Sequence, residues 1–161
     1  MNLCDFRILV CGCFDMFHVG HLRLLKGASQ FGNVYVRIGD DESVRQKKGT
    51  NRPICTSDER LQILRACRYV FNAEVFSFAD NPIEAHQLLI EEVKPNAYAE
   101  GPDHNNNAIY PLLEDLGIPR IIIPTKIQGT TDILAKVSVH SDMNKDTCNV
   151  WDEMERRACE A

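Results

Sequence analysis

No apolar run in the 161-residue sequence approaches the roughly 20 residues needed to span a bilayer as a helix. The opening Met1-Asn2-Leu3-Cys4-Asp5 lacks the basic start and long apolar stretch of a secretory leader, so the expectation is a cytoplasmic protein with no membrane partner. Positive charge is not in excess: 18 Lys and Arg against 23 Asp and Glu leave a net charge of −5. General nucleic-acid binding depends on broad phosphate neutralisation and is therefore not expected. The seven cysteines make no framework. Their number is odd, and Cys11 and Cys13 have no second Cys or Cys/His pair at zinc-ligand spacing, so the sequence implies reduced thiols, no metal cage and no disulfide scaffold. Internal repeats and low-complexity tracts are also missing.

What is present is an alternation. With 44% hydrophobic and 25% charged residues the composition is that of an ordinary globular protein, and the length fits one domain, since domains most often run about 100 to 150 residues. Phe6 to Val10 reads as a buried strand, and Leu22, Leu24, Leu25 and Ala28 begin a helix that ends near Phe31-Gly32. A second strand is expected over Val34 to Ile38, then a loop from Ser43 to Cys55 without apolar periodicity. Thr56-Ser57-Asp58-Glu59 has the form of a capping box opening a helix that Tyr69-Val70-Phe71 closes. Val75 to Phe78 is the third strand; Asn81-Pro82 opens a helix that Lys94-Pro95 ends. Ala97-Tyr98-Ala99 is a short fourth strand, Ala108 to Leu116 a helix stopped by Gly117, and Ile121-Ile122-Ile123 a fifth strand, apolar throughout as a doubly covered parallel strand should be. Strand and helix alternate, which predicts an α/β fold with a Rossmann-like, doubly wound parallel sheet of about five strands flanked by helices. The expected domain spans 1–137; 138–161 is a polar C-terminal tail with a rough helical stripe.

The chain is organised around Gly12-Cys13-Phe14-Asp15-Met16-Phe17-His18-Val19-Gly20-His21, a strand-to-helix turn. Free N–H groups and the positive dipole end of the following helix attract anions there, and two imidazoles three residues apart share one side of its first turn. Gly20 has no Cβ to keep a nucleotide from the backbone. Each histidine alone would read as a surface or capping group, and Asp15 equally as a ligand or as an anchor for loop N–H groups. Cys13 lies in the turn, but nothing visible activates its thiol as a nucleophile. Arg45, Lys47, Lys48 and Arg52 cluster within eight positions, which suits a small polyanion. In a doubly wound sheet, ligands bind beyond the carboxyl ends of the strands where the strand order reverses. That rule gathers this turn and the loops after Gly39, Glu100 and Ile123 on one edge.

The decapeptide resembles the G-x-F-D-x-x-H-x-G-H signature of the cytidylyltransferase-like nucleotidylyltransferases, with a complete match at Gly12, Phe14, Asp15, His18, Gly20 and His21. Lys47-Lys48-Gly49 with Arg52-Pro53 resembles the family's K-G-x-x-R-P loop, and Glu59-Arg60 its Glu-Arg pair. Gly101-x-Asp103 resembles the Gly-x-Asp loop, and Gly129-Thr130-Thr131-Asp132-Ile133 the closing R-T-x-G-I-S-T-T-x-I motif, with Gly129 for the serine and Pro124 for the leading arginine. The resemblance spans about residues 6 to 137. It implies that His18, His21, Lys48 and Arg60 are catalytic and contact phosphates. Gly12, Cys13, Phe14, Asp15, Gly20, Lys47, Gly101, Asp103, Gly129, Thr130 and Thr131 would line the nucleotide site. It also implies a homodimer, and magnesium held by the nucleotide with no protein metal site.

The activity implied is transfer of a nucleoside monophosphate from CTP or ATP to a small phosphorylated alcohol or sugar with release of pyrophosphate. The loops look like the heptose-phosphate adenylyltransferase branch, while the first turn and Arg68-Tyr69-Val70 look equally like glycerol-phosphate or aminoalcohol-phosphate cytidylyltransferases. A catalytically silent nucleotide-binding regulatory module is the alternative, suggested by the altered closing motif. A fragment of a class I aminoacyl-tRNA synthetase shares the paired histidines but is disfavoured by the acidic charge and the lack of a K-M-S-K-S-like loop.

Overall fold

The computed structural model describes residues 6–102 and 108–124. They lie within one unit, Met1–Ile127, and the expected boundary at 137 falls outside the described residues. Ten elements follow in order: β1 (Arg7–Gly12), α1 (Val19–Ala28), β2 (Asn33–Gly39), α2 (Asp41–Lys48), α3 (Ser57–Ala66), β3 (Asn72–Phe76), α4 (Pro82–Val93), β4 (Ala97–Glu100), α5 (Tyr110–Asp115) and β5 (Arg120–Ile122).

All strand pairs are parallel, as the alternation predicts, and the strands lie in the order β3-β2-β1-β4-β5. β1 shows why the sheet must be covered twice. Its residues alternate between two cores, Ile8 and Val10 packing with Leu25, Val36 and Leu64, and Leu9 and Cys11 packing with Leu89, Tyr98 and Leu113. The strand order reverses between β1 and β4, so the carboxyl ends of these two strands, Gly12 and Glu100, flank the ligand crevice of the fold.

Some boundaries differ from the sequence reading, each for a local reason. The first helix stops at Ala28, capped by Ser29, and Gly32 instead lets the chain pass Phe6, whose carbonyl oxygen would overlap any Cβ there. β3 starts earlier than expected, because Asn72 already pairs with Tyr35 and Ala73 points into the core. α3 ends at Ala66, while Tyr69 and Val70 pack against the core without being helical. The largest difference is α2, where the sequence suggested a loop from Ser43 to Cys55. Its order comes from the ends: Asp40 Oδ1 accepts from the Ser43 N–H at 2.9 Å, Asp41 and Glu42 occupy the first turn, and Arg45, Lys47 and Lys48 the last. Buried Val44 is the single aliphatic side chain anchoring it, too little to give a periodic pattern.

Candidate functional site

The turn after β1 is tightly constrained. Phe14 and Met16 adopt φ of 52° and 50°, left-handed values that cost a non-glycine residue roughly 1–2 kcal/mol. Phe14 is only 3% exposed, and burying such a ring is worth about 1.5–3 kcal/mol, enough to hold its backbone there. The same ring explains Gly12, because a Cβ there would lie 2.9 Å from it.

His18 is the N-cap of α1, with φ −135° and ψ 175°. Its Nδ1 accepts from the Gly20 N–H at 3.1 Å, while His21 Nδ1 accepts from the His18 N–H at 3.4 Å. An imidazole whose Nδ1 accepts carries its proton, when neutral, on Nε2. The two rings stack with centroids 3.8 Å apart and planes inclined by 25°. Burial lowers the pKa of both; for His21, between Phe14 at 4.9 Å and Phe17 at 5.6 Å, burial followed by the charges of His18 and Lys48 brings it to about 3. Near pH 7 the helix entrance therefore offers two neutral Nε2–H donors.

Asp15, 1% exposed, anchors the turn. Its carboxylate accepts from Arg52 Nε at 2.6 Å and from the Ile54 and Cys55 N–H groups at 3.0 and 2.9 Å. Burial by itself would raise its pKa, but these donors more than offset it and hold the carboxyl below its ordinary range. Of the two roles open to Asp15 in the sequence, the structure displays the structural one.

Arg60 departs from the expected phosphate contact. Its side chain is 0% exposed, and Nε donates to Cys55 O at 3.1 Å, Nη1 to Cys13 O at 2.7 Å, and Nη2 to Gly39 O at 3.0 Å and Asp41 Oδ1 at 2.7 Å. The carbonyls of Cys13 just past β1, of Gly39 at the last position of β2 and of Cys55 ahead of α3 need donors, and Arg60 supplies them. It thereby joins the first turn, the head of α2 and the approach to α3 from behind.

The lysines lie at the end of α2, beside Gly49, whose φ of 97° ends the helix. Lys48, the expected phosphate cation, is near enough to His21 for its charge to lower the imidazole pKa. Lys47 Nζ lies over Phe78, 5.9 Å from the ring centroid, and its pKa is lowered by desolvation and by Lys48. Gly20 is buried within the first turn of α1, and Gly101 follows β4 at the crevice. Asp103, Gly129, Thr130 and Thr131 lie outside the described residues.

Sequence reasoning missed two partnerships. Arg52 was read as part of a basic cluster, yet it is spent on Asp15. Glu100, 2% exposed at the end of β4, accepts from Tyr110 Oη at 2.9 Å and Arg120 Nε at 3.0 Å, and the Arg120 guanidinium stacks 3.7 Å from the Tyr110 ring centroid. A carboxylate closing an otherwise apolar strand was the available signal. Among the described residues no cluster of three or more His, Cys, Asp or Glu is placed to hold a metal ion, and no helix is long and apolar enough to cross a membrane.

A family model described as cytidylyltransferase-like matches residues 9–154. The bifunctional protein HldE of Desulfatibacillum aliphaticivorans is 38% identical over 120 residues, covering 73% of this chain and 24% of that protein. FAD synthase of Pyrococcus abyssi is 38% identical over 100 residues, 62% of this chain and 64% of that protein. The chain thus spans less than two thirds of these curated relatives. The crystal structure of the lipopolysaccharide core biosynthesis protein from Thermoplasma volcanium superposes with a TM-score of 0.61 at 24% identity, over 77% of this chain and 98% of that one, a likeness of fold.

Proposed function

The chain belongs to the cytidylyltransferase-like family, and from that premise we propose that it transfers a nucleoside monophosphate from ATP or CTP to a small phosphorylated alcohol or sugar. The observation that carries this reading is the stacked His18–His21 pair at the head of α1, with both Nδ1 atoms tied to backbone N–H groups. In this reaction an acceptor phosphate oxygen attacks the α-phosphorus. A P–O bond forms, the α–β bridging bond breaks, and its electron pair leaves on pyrophosphate. A phosphate is already a nucleophile at neutral pH, so the protein needs to align two polyanions and offset the charge growing on the leaving group. Two preset Nε2–H donors, the free N–H groups of α1 and the Lys48 ammonium do this without a proton transfer.

Magnesium fits the proposal as a cation carried by the nucleotide phosphates, where it offsets their charge. The turn carries two imidazoles, and its one carboxylate, Asp15, is already engaged by three donors. A homodimer, drawn from the resemblance, completes the proposal. Its support among relatives is mixed in substrate, since one is named for FAD synthesis and the other is the bifunctional HldE.

The test is pyrophosphate release with ATP and with CTP against a panel of phosphorylated acceptors. His18→Ala removes a preset donor and should lower kcat by about 10²–10³-fold, the range for loss of one transition-state hydrogen bond. Nucleotide binding without release for any acceptor would instead favour the regulatory module.

A further inference from the structure

β3 is an outer strand of the sheet, and among the described residues it pairs only with β2. Its other side is a strand edge open to a further extended segment. Between β3 and α4 lies a cavity of about 180 Å³, bordered by Glu74 and Val75 from the strand, Leu88 and Glu92 from the helix, and Arg37 from β2. Arg37 is buried and spent on the protein itself: Nη1 donates to Val36 O at 3.1 Å and to Asn72 Oδ1 at 2.6 Å, and Nη2 to Glu92 Oε1 at 2.8 Å, with Glu74 Oε2 3.5 Å away. One guanidinium thus serves two carboxylates whose side chains remain 45% and 60% exposed, so the cavity keeps an excess of negative charge. Glu84 and Glu91 extend that charge, standing on the exposed side of α4 four residues before and three after Leu88, and the helix has no Lys or Arg. Val75 and Leu88, both exposed, add apolar surface.

Acidic groups around an apolar cleft call for a cation with apolar neighbours. The cavity is smaller than the roughly 300–1,000 Å³ of sites that enclose a small-molecule ligand, and it suits one long side chain. We propose that the β3–α4 groove docks a partner protein, one extended segment of which adds to the edge of β3 and sends an Arg or Lys side chain into the cavity. In an extended segment every second side chain shares a face, so aliphatic residues two positions before and after the basic one rest on Val75 and Leu88. Arg37 prepares the cleft, because it holds together two carboxylates that would otherwise repel each other. Charge also decides against a second copy of this chain as the occupant: two grooves meeting face to face would set one acidic α4 against another.

Selection of a displayed random heptapeptide library on the full chain tests this, followed by calorimetric titration of the synthesised consensus peptide. Enriched peptides should carry Arg or Lys with an aliphatic residue at the second position on each side. Replacing that basic residue by Glu should weaken binding about tenfold or more, and Leu88→Arg in the protein, at an exposed position, should do the same. Glu92→Gln, which keeps a hydrogen-bond acceptor for Arg37, should weaken binding about threefold or more and flatten its salt dependence. N-methylation of the peptide backbone at alternate residues should weaken binding for one alternating set and spare the other, as strand addition requires. Enriched peptides without a basic residue, binding indifferent to Leu88→Arg and Glu92→Gln, equal tolerance of both methylated sets, or no enrichment overturns the docking groove. So does a dimer of the full chain that Leu88→Arg splits into monomers in sedimentation, since a second copy would then cover the groove.

Discussion

Asp15 and Arg60 set the geometry of the candidate site through their contacts with the protein itself. Asp15 holds Arg52 and two backbone N–H groups at once, and breaking a buried ion pair by removing one partner typically costs about 3–5 kcal/mol. Arg52 retains some access to water at 14% exposure, so Asp15→Ala should fall near the lower end, about 3 kcal/mol, measured by urea unfolding. A loss below about 1 kcal/mol would mean that the loop re-forms without its anchor. Neither partner set could be read from sequence. The matching motifs name residue types and spacings, whereas the acceptors of Arg60 include three main-chain carbonyls separated along the chain, which no pattern of side chains records. The histidine pair was legible, because its partners lie within three residues of each other.

At the scale of elements, α2 is held by its caps. Asp40→Ala should therefore cost about 1 kcal/mol, as loss of an N-cap does, and should also weaken nucleotide binding, because the cap orients the helix that carries Lys48. Thermal unfolding alongside nucleotide titration checks both; lost stability with unchanged affinity would separate the helix from the site. Capping chemistry was fully legible for α3 and α4, where Thr56 and Glu59 form the box and Asn81-Pro82 the start. For α2 the caps were equally present, but the absence of apolar periodicity outweighed them. The start of β3 slipped for a different reason: pairing with β2 fixes register through long-range hydrogen bonds, while sequence pattern reports only local preference.

Over the whole molecule, the three depressed groups of the first turn, Asp15, His18 and His21, act in the same direction. His21 has a folded pKa of about 3 against 6.5 unfolded, so as pH falls below about 6.5 the unfolded chain takes up a proton that the folded chain refuses, and stability declines toward pH 3. Asp15, lowered from 3.8, adds to the decline below that value as its carboxylate protonates. The melting temperature should thus drop between pH 6.5 and 4 in the parent chain and markedly less in His21→Gln; parallel profiles would show that the imidazole is hydrated and titrates normally. The doubly covered parallel sheet was legible from alternation alone, since helices between parallel strands leave few other ways to bury both faces, whereas the order of its strands came from the structure. Because Arg60 grips carbonyl oxygens, which every amino acid possesses, the identities at Cys13, Gly39 and Cys55 do not enter that grip. Variation in the side chains of Cys13 and Cys55 can retune the mouth of the crevice while its frame persists, so a saturation library should find these two positions permissive and position 60 nearly invariant.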